Sequence, residues 1–296
     1  MRILLALAVV PFALSASQPS LPGARGCPIF PASNVWNTPV DQLPVAANSS
    51  ALIASIGRDS GLHADFGHEL RYGIPYNVAS KRTPRFKVSF DYGDESDHLR
   101  YPIPPHPRQE DGGDAHIIVV DRDRCRLTEL YAAHLVNGRW KAGSGASWNL
   151  RSNKLRPDGW TSADAAGLPI LPGLVRYDEV ARGEIRHAIR FTAEQTSKAH
   201  IYPARHDAGS STDPSLPPMG ARVRLRASYD ISKLPRQARV IAKAMQVYGM
   251  ILADNGSNWY FSGASDRRFS DDTLHALDVI TGKEFEVVDT SKLRNG

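Results

Sequence analysis

The chain has 296 residues, 36 Lys and Arg against 31 Asp and Glu, a formal net charge of +5, and two cysteines. The basic excess is small and spread along the chain, which excludes a Lys/Arg arm for nucleic acid. With no Cys-x-x-Cys pair, a cysteine-based zinc module is excluded as well.

In chain order, Met1-Arg2 precedes an apolar run from Ile3 to Leu14 and the small residues Ser15-Ala16-Ser17. These are the parts of a secretory signal peptide, expected over residues 1–17, and the run is too short to span a bilayer. Residues 18–26 read as a tether of turn formers. A single β-rich domain is expected over 27–296, with no internal repeat. Cys27 and Cys125 fit a disulfide in an oxidising compartment, so the expected location is secreted or periplasmic, with no stable membrane insertion after leader removal.

A short helix is expected at 49–56, stopped by Gly57. Strands are expected at 86–92 and 116–121, the latter turning through Arg122-Asp123-Arg124 into a β-rich run from Cys125 to His134. Asn137-Gly138 carries the signature of a type I′ turn. Further strands are expected at 145–151, 186–192, 199–204, 222–229, 249–254, 258–262 and 284–289. The clearest helix is 235–248, where Ala238, Ile241, Met245 and Tyr248 recur at helical spacing and Gly249 follows. Another is expected at 271–278 behind Ser270 or Asp271. Many strands, few helices, and 21 Pro with 23 Gly predict a mainly β fold, an antiparallel β-sandwich or jelly roll with one or two packed helices.

Three stretches stand out: Cys27-Pro-Ile-Phe-Pro-Ala-Ser-Asn-Val-Trp-Asn37, the run from Leu150 to Gly173 containing Gly159-Trp-Thr-Ser-Ala-Asp-Ala-Ala-Gly-Leu-Pro-Ile-Leu-Pro-Gly173, and Tyr248-Gly-Met-Ile-Leu-Ala-Asp-Asn-Gly256. Together they resemble a family of secreted microbial proteins of unassigned activity. The resemblance covers nearly the whole mature chain and implies an exported single domain; it implies no catalytic residue.

Between Trp160 and His206 the chain gathers His187, Arg190, His200, Arg205 and His206, polar rings and guanidinium groups that suggest one face of a site. Glycoside hydrolysis needs two carboxyl groups, one protonated and one ionised, with aromatic platforms nearby. Glu129, Asp164 and Asp254 are the candidate carboxylates, and Trp148, Trp160 and Trp259 are near in sequence. Glu129 shares a strand face with Leu127 and Tyr131, which would desolvate it and raise its pKa; on this reading Glu129→Gln abolishes turnover. Each carboxylate also has a structural reading: a cross-strand ion pair for Glu129, a loop cap for Asp164, a turn start for Asp254. Catalysis is thus expected from Glu129, Asp164, Asp254 and His187, and substrate binding from His116, Arg190, His200, Arg205, Trp148 and Trp160.

The expected partner is an extracellular polysaccharide, with hydrolysis as the first reaction class. A polysaccharide lyase using His187, Arg190, His200, Tyr202 and Arg205 is a second, and a non-catalytic glycan-binding protein a third. No metal or other cofactor is expected: His116, His134, His187 and His200 lack ligand spacing, and the acidic stretch from Asp91 to Asp97 departs from a calcium loop. Gly143-Ser-Gly-Ala is not a nucleophile elbow.

Overall fold

The computed structural model describes residues 18–295; the expected leader, residues 1–17, lies outside them. Apolar runs bounded by turn formers become strands. A six-stranded sheet has the order His63–Asp65, Tyr260–Ser262, Ile189–Ala193, Met250–Asn255, Arg222–Leu225, Phe285–Val287. A four-stranded sheet has the order Ser144–Asn149, Arg126–Tyr131, Ile117–Asp121, Tyr76–Ala79. Two small sheets complete the set, one pairing Arg85–Phe86 with Tyr101–Pro102, the other ordered Val88–Phe90, Arg139–Ala142, His134–Val136.

The fold is mainly β with a few packed helices, as the composition predicts. Pairing is mixed: Ile189–Ala193 runs parallel to Met250–Asn255, and Tyr76–Ala79 parallel to Ile117–Asp121. Parallel neighbours need long crossovers, and the stretches between these partners provide them without the regular strand-helix alternation that would announce them in sequence. The Asn137-Gly138 turn forms as expected, with φ of 49° and 74°, and joins Val136 to its partner Arg139.

Every residue of Ile117–Asp121 is buried because both faces of the four-stranded sheet are covered. Ile118 and Val120 enter the main core with Leu127, Ala146 and Trp148. Ile117 and Val119 pack on the reverse face with Tyr101, Leu130 and Trp140. Burial on both faces accounts for the unbroken apolar run.

The helices Ser49–Ile56 and Arg236–Val247 lie where caps and periodicity put them, and Asp271–His275 starts as expected but ends three residues before the expected 278. In the last, Ser270 Oγ accepts from the Thr273 N–H at 3.4 Å. A further helix, Tyr177–Arg182, ends at Gly183 in the left-handed region with φ 90°; at six residues it is too short to show a periodic pattern. Residues 199–204, expected as a strand, contribute only an isolated bridge from His200 to Met219.

Residues 18–26 are not a loose tether. Ser20 bridges to Pro28, and Leu21 and Ala24 are buried in the main core. Cys27 and Cys125 form a disulfide across a separation of 98 residues, holding this segment to the turn between the strands Ile117–Asp121 and Arg126–Tyr131. Among the described residues no helix is long and apolar enough to cross a membrane.

Candidate functional site

The run from Trp160 to Gly173 is buried between the sheets without a strand ladder of its own, so its backbone groups need other partners. Ser162 Oγ accepts from the Asp164 N–H at 2.9 Å and donates to the Leu168 carbonyl at 2.6 Å. Ser144 Oγ donates to the Ser162 carbonyl at 2.5 Å, and the Ala166 N–H donates to the Ala253 carbonyl at 2.9 Å. Gly167 turns the chain at φ +68°, where a Cβ would lie 2.4 Å from the Trp160 carbonyl oxygen.

Glu129 completes this accounting. Its carboxylate accepts from the Ile170 N–H (Oε2, 2.9 Å) and from the Leu171 N–H (Oε1, 2.9 Å), capping the short 3-10 turn Leu171–Gly173. Burial pushes Glu129 up to about 7; the two backbone donors work against that, and the neighbouring Asp164 adds to it. The raised pKa predicted from Leu127 and Tyr131 is present, but the residue is 0% exposed and lies behind the open space. Its partners are backbone amides, not a cross-strand arginine.

Asp164, expected at a loop cap, is held by Arg190 through two hydrogen bonds, Nε to Oδ2 at 3.0 Å and Nη2 to Oδ1 at 2.7 Å. Arg190 projects from the six-stranded sheet, and its Nη1 also donates to Ser262 Oγ at 2.6 Å. Its Nη2 lies 3.4 Å from Asp254 Oδ2. Thus Asp164, Arg190 and Asp254, scattered over ninety residues of sequence, form one contiguous group.

Asp254 is the member of that group which reaches open space. With Tyr92, Glu95, Asp114, Tyr131, Ser144, Thr161, Ser162, Ala163, Ala165, His206 and Asn255 it lines a pocket of about 360 Å³. Burial pushes its carboxyl up to about 7, the Asp164 charge adds to the rise, and Arg190 opposes it. Across the pocket lining, Glu95 Oε2 accepts from the Thr161 N–H at 2.9 Å and lies 4.0 Å from His206 Nε2. His206 is oriented by its other nitrogen, Nδ1, which donates to the Ala165 carbonyl at 2.8 Å.

His116 stands in the wall behind the pocket, its ring 5.7 Å from that of Tyr131. Nε2 meets the Ala163 carbonyl at 2.8 Å, and Nδ1 meets Glu110 Oε2 in a short contact. Burial, the largest single influence, disfavours its charged form, but the Glu110 hydrogen bond and charge and the Ala163 carbonyl together outweigh it and the pKa is raised.

The other expected site residues lie apart. His187 is buried beside helix Tyr177–Arg182, with Nε2 3.1 Å from Glu179 Oε2, and Arg176 binds the same carboxylate at 2.8 Å. Burial alone would raise Glu179, but the Arg176 and His187 charges bring it down to about 2. His200 and Arg205 share the exposed carboxylate of Asp158, at 3.2 and 2.9 Å. Trp148 and Trp160 flank Arg156, whose guanidinium is 5.6 and 5.5 Å from their ring centroids, and line a separate groove of about 550 Å³. His134 is exposed on an edge strand, so the four histidines considered for a shared metal do not converge. A wider depression of about 760 Å³ between residues 18–25 and 178–186 holds none of the groups around Arg190.

The ionisable pocket residues not singled out from sequence include Tyr92, Glu95 and Asp114. The acidic stretch from Asp91 to Asp97 carried a signal, considered from sequence only as a calcium loop, from which its spacing departs. It is docked against the buried run, with Asp97 bound to Arg156 and Glu95 to the Thr161 amide. Comparison with family profiles, curated proteins and solved structures finds no match to this chain.

Proposed function

We propose that the 360 Å³ pocket cleaves glycosidic bonds of an extracellular polysaccharide, with Asp254 as general acid. One observation carries this reading: a carboxyl group that reaches the pocket and, pushed up to about 7, keeps its proton near neutrality. Glu95 is the complementary base, oriented by the Thr161 amide on the same lining. Tyr92 and Tyr131 offer aromatic surface, and Thr161 and Asn255 offer hydroxyl and amide partners for a sugar ring.

In the proposed step Asp254 passes its proton to the glycosidic oxygen as the bond from that oxygen to the anomeric carbon breaks. Water adds to the anomeric carbon and gives a proton to Glu95. Arg190 and Asp164 act behind Asp254: the guanidinium fixes its position and the Asp164 charge keeps it protonated. The elimination reading loses support because His187, His200 and Arg190 lie in different places. The disulfide favours an oxidising compartment for this activity.

The test is incubation of the purified chain with a panel of neutral and acidic polysaccharides, following reducing ends and unsaturated uronate absorbance together. Reducing ends without absorbance, lost in Asp254→Asn, support hydrolysis. Both signals together indicate a lyase. Affinity without either indicates a binding protein.

A further inference from the structure

We propose that Glu110, Asp114 and His116 bind one divalent transition-metal ion at the edge of the pocket. The site stands or falls independently of glycan cleavage. One donor atom from each residue lies within 4.8 Å of the others, so one ion can reach all three.

The ring orientation of His116 argues for a cation here. The Ala163 carbonyl can only accept, so Nε2, 2.8 Å away, carries a proton. Nδ1 is therefore the nitrogen left to face the Glu110 carboxylate, and it can present either a proton or, once deprotonated, a lone pair for a metal ion. The Glu110 charge thus lies directly against Nδ1, inside a wall where His116 is 3% exposed, and a cation between them, a proton or a metal ion, satisfies both. A proton on Nδ1 relieves that one contact; a divalent ion relieves it and also engages Asp114. Among the described residues no side-chain hydrogen bond or ion pair reaches the Asp114 carboxylate.

The Ala163 contact is independent of the cluster, because it comes from the buried Trp160–Gly173 run. It is also the contact a metal-binding imidazole uses: the nitrogen remote from the ion donates to a carbonyl, which fixes the tautomer and aims the other nitrogen. Two carboxylates and a neutral imidazole balance a divalent charge, and an O,O,N donor set suits manganese, iron or zinc. Asp114 also lines the pocket, which gives an ion at this cluster access from open space.

The test is calorimetric titration of the chelator-treated full chain with MnCl₂ and, separately, ZnCl₂. The expected result is one ion bound per chain, with affinity weakened at least about tenfold in Glu110→Gln and in Asp114→Asn, since even outer partners of metal ligands have effects of that order. Asp114→Asn changes an exposed residue and keeps the melting temperature of the metal-free protein, separating ligand loss from misfolding. Titration with CoCl₂ gives a second readout, a visible absorption band that His116→Gln shifts or removes. Absence of stoichiometric binding of either ion, or equal affinity in the wild type and both carboxylate variants, overturns the assignment.

Discussion

Arg190 holds Asp164 in a two-point grip, at 3.0 and 2.7 Å, and the nitrogen that makes the shorter bond also lies 3.4 Å from Asp254. One cation thus joins a carboxylate with 0% exposure to one that is 27% exposed at the pocket. The inner carboxylate secures the cation, and its charge discourages ionisation of the outer one.

Removing the inner partner strands a buried guanidinium. Asp164→Ala is expected to lower unfolding free energy by about 3–5 kcal/mol, the usual cost of breaking a buried pair from one side. Urea titration measures it; a loss below about 1 kcal/mol would mean that Arg190 finds a substitute in Asp254 or Ser262.

Asp254 lies near 7 with its proton on, so turnover on a responsive polysaccharide should fall as pH rises through about 7. Asp164→Asn removes the like charge and frees Arg190 for Asp254; both effects lower the Asp254 pKa, so the alkaline limb moves to lower pH. Asp254→Asn should reduce turnover by about 10²–10⁴-fold. A pH–rate profile of each variant checks these points, and an unmoved limb in Asp164→Asn removes Asp254 from the acid role.

For stability the sign is opposite to that of an ordinary salt bridge. Glu129 rises from 4.5 to about 7 and Asp254 from 3.8 to about 7, so their contribution is full below the unfolded values and is lost as pH rises through about 7. Glu179, held down to about 2, contributes above 4.5 and loses that only as pH falls through about 2. Melting temperature should therefore decline between about pH 4.5 and 7 and level off above, less steeply in Glu129→Gln than in the wild type. A rising curve over that window contradicts the assignment.

Glu129 is expected to matter for folding and not for the chemical step, a revision of its sequence-based role. Glu129→Ala leaves the Ile170 and Leu171 amides without an acceptor, at a cost of about 1–3 kcal/mol each. Unfolding by urea and turnover per folded molecule separate the two roles; intact stability with abolished turnover restores Glu129 to the chemistry.

Reduction of Cys27–Cys125, which spans 98 residues, should lower stability by roughly 4–5 kcal/mol on the chain-entropy account. Differential scanning of oxidised and reduced protein gives the shift. No shift would mean that burial of Leu21, Ala24 and Ile29 alone holds the N-terminal segment.

Local chemistry was legible in the chain. Helices at 49–56 and near 235–248, the type I′ turn at Asn137-Gly138, the mainly β class and the Cys27–Cys125 bridge all follow from periodicity, turn residues and thiol count, because each depends on neighbours in sequence or on composition. Strand parity likewise put Glu129 among apolar neighbours. Tertiary structure decided what those neighbours could not. It gave Glu129 to the amides of Ile170 and Leu171, set Asp164 and Asp254 on either side of Arg190, sent His187 to Glu179, and folded the Asp91–Asp97 stretch onto Thr161 and Arg156. A carboxylate's role depends on which charges and amides lie within a few ångströms, and here those partners come from segments tens of residues apart, brought together only when the sheets close over the buried run between them.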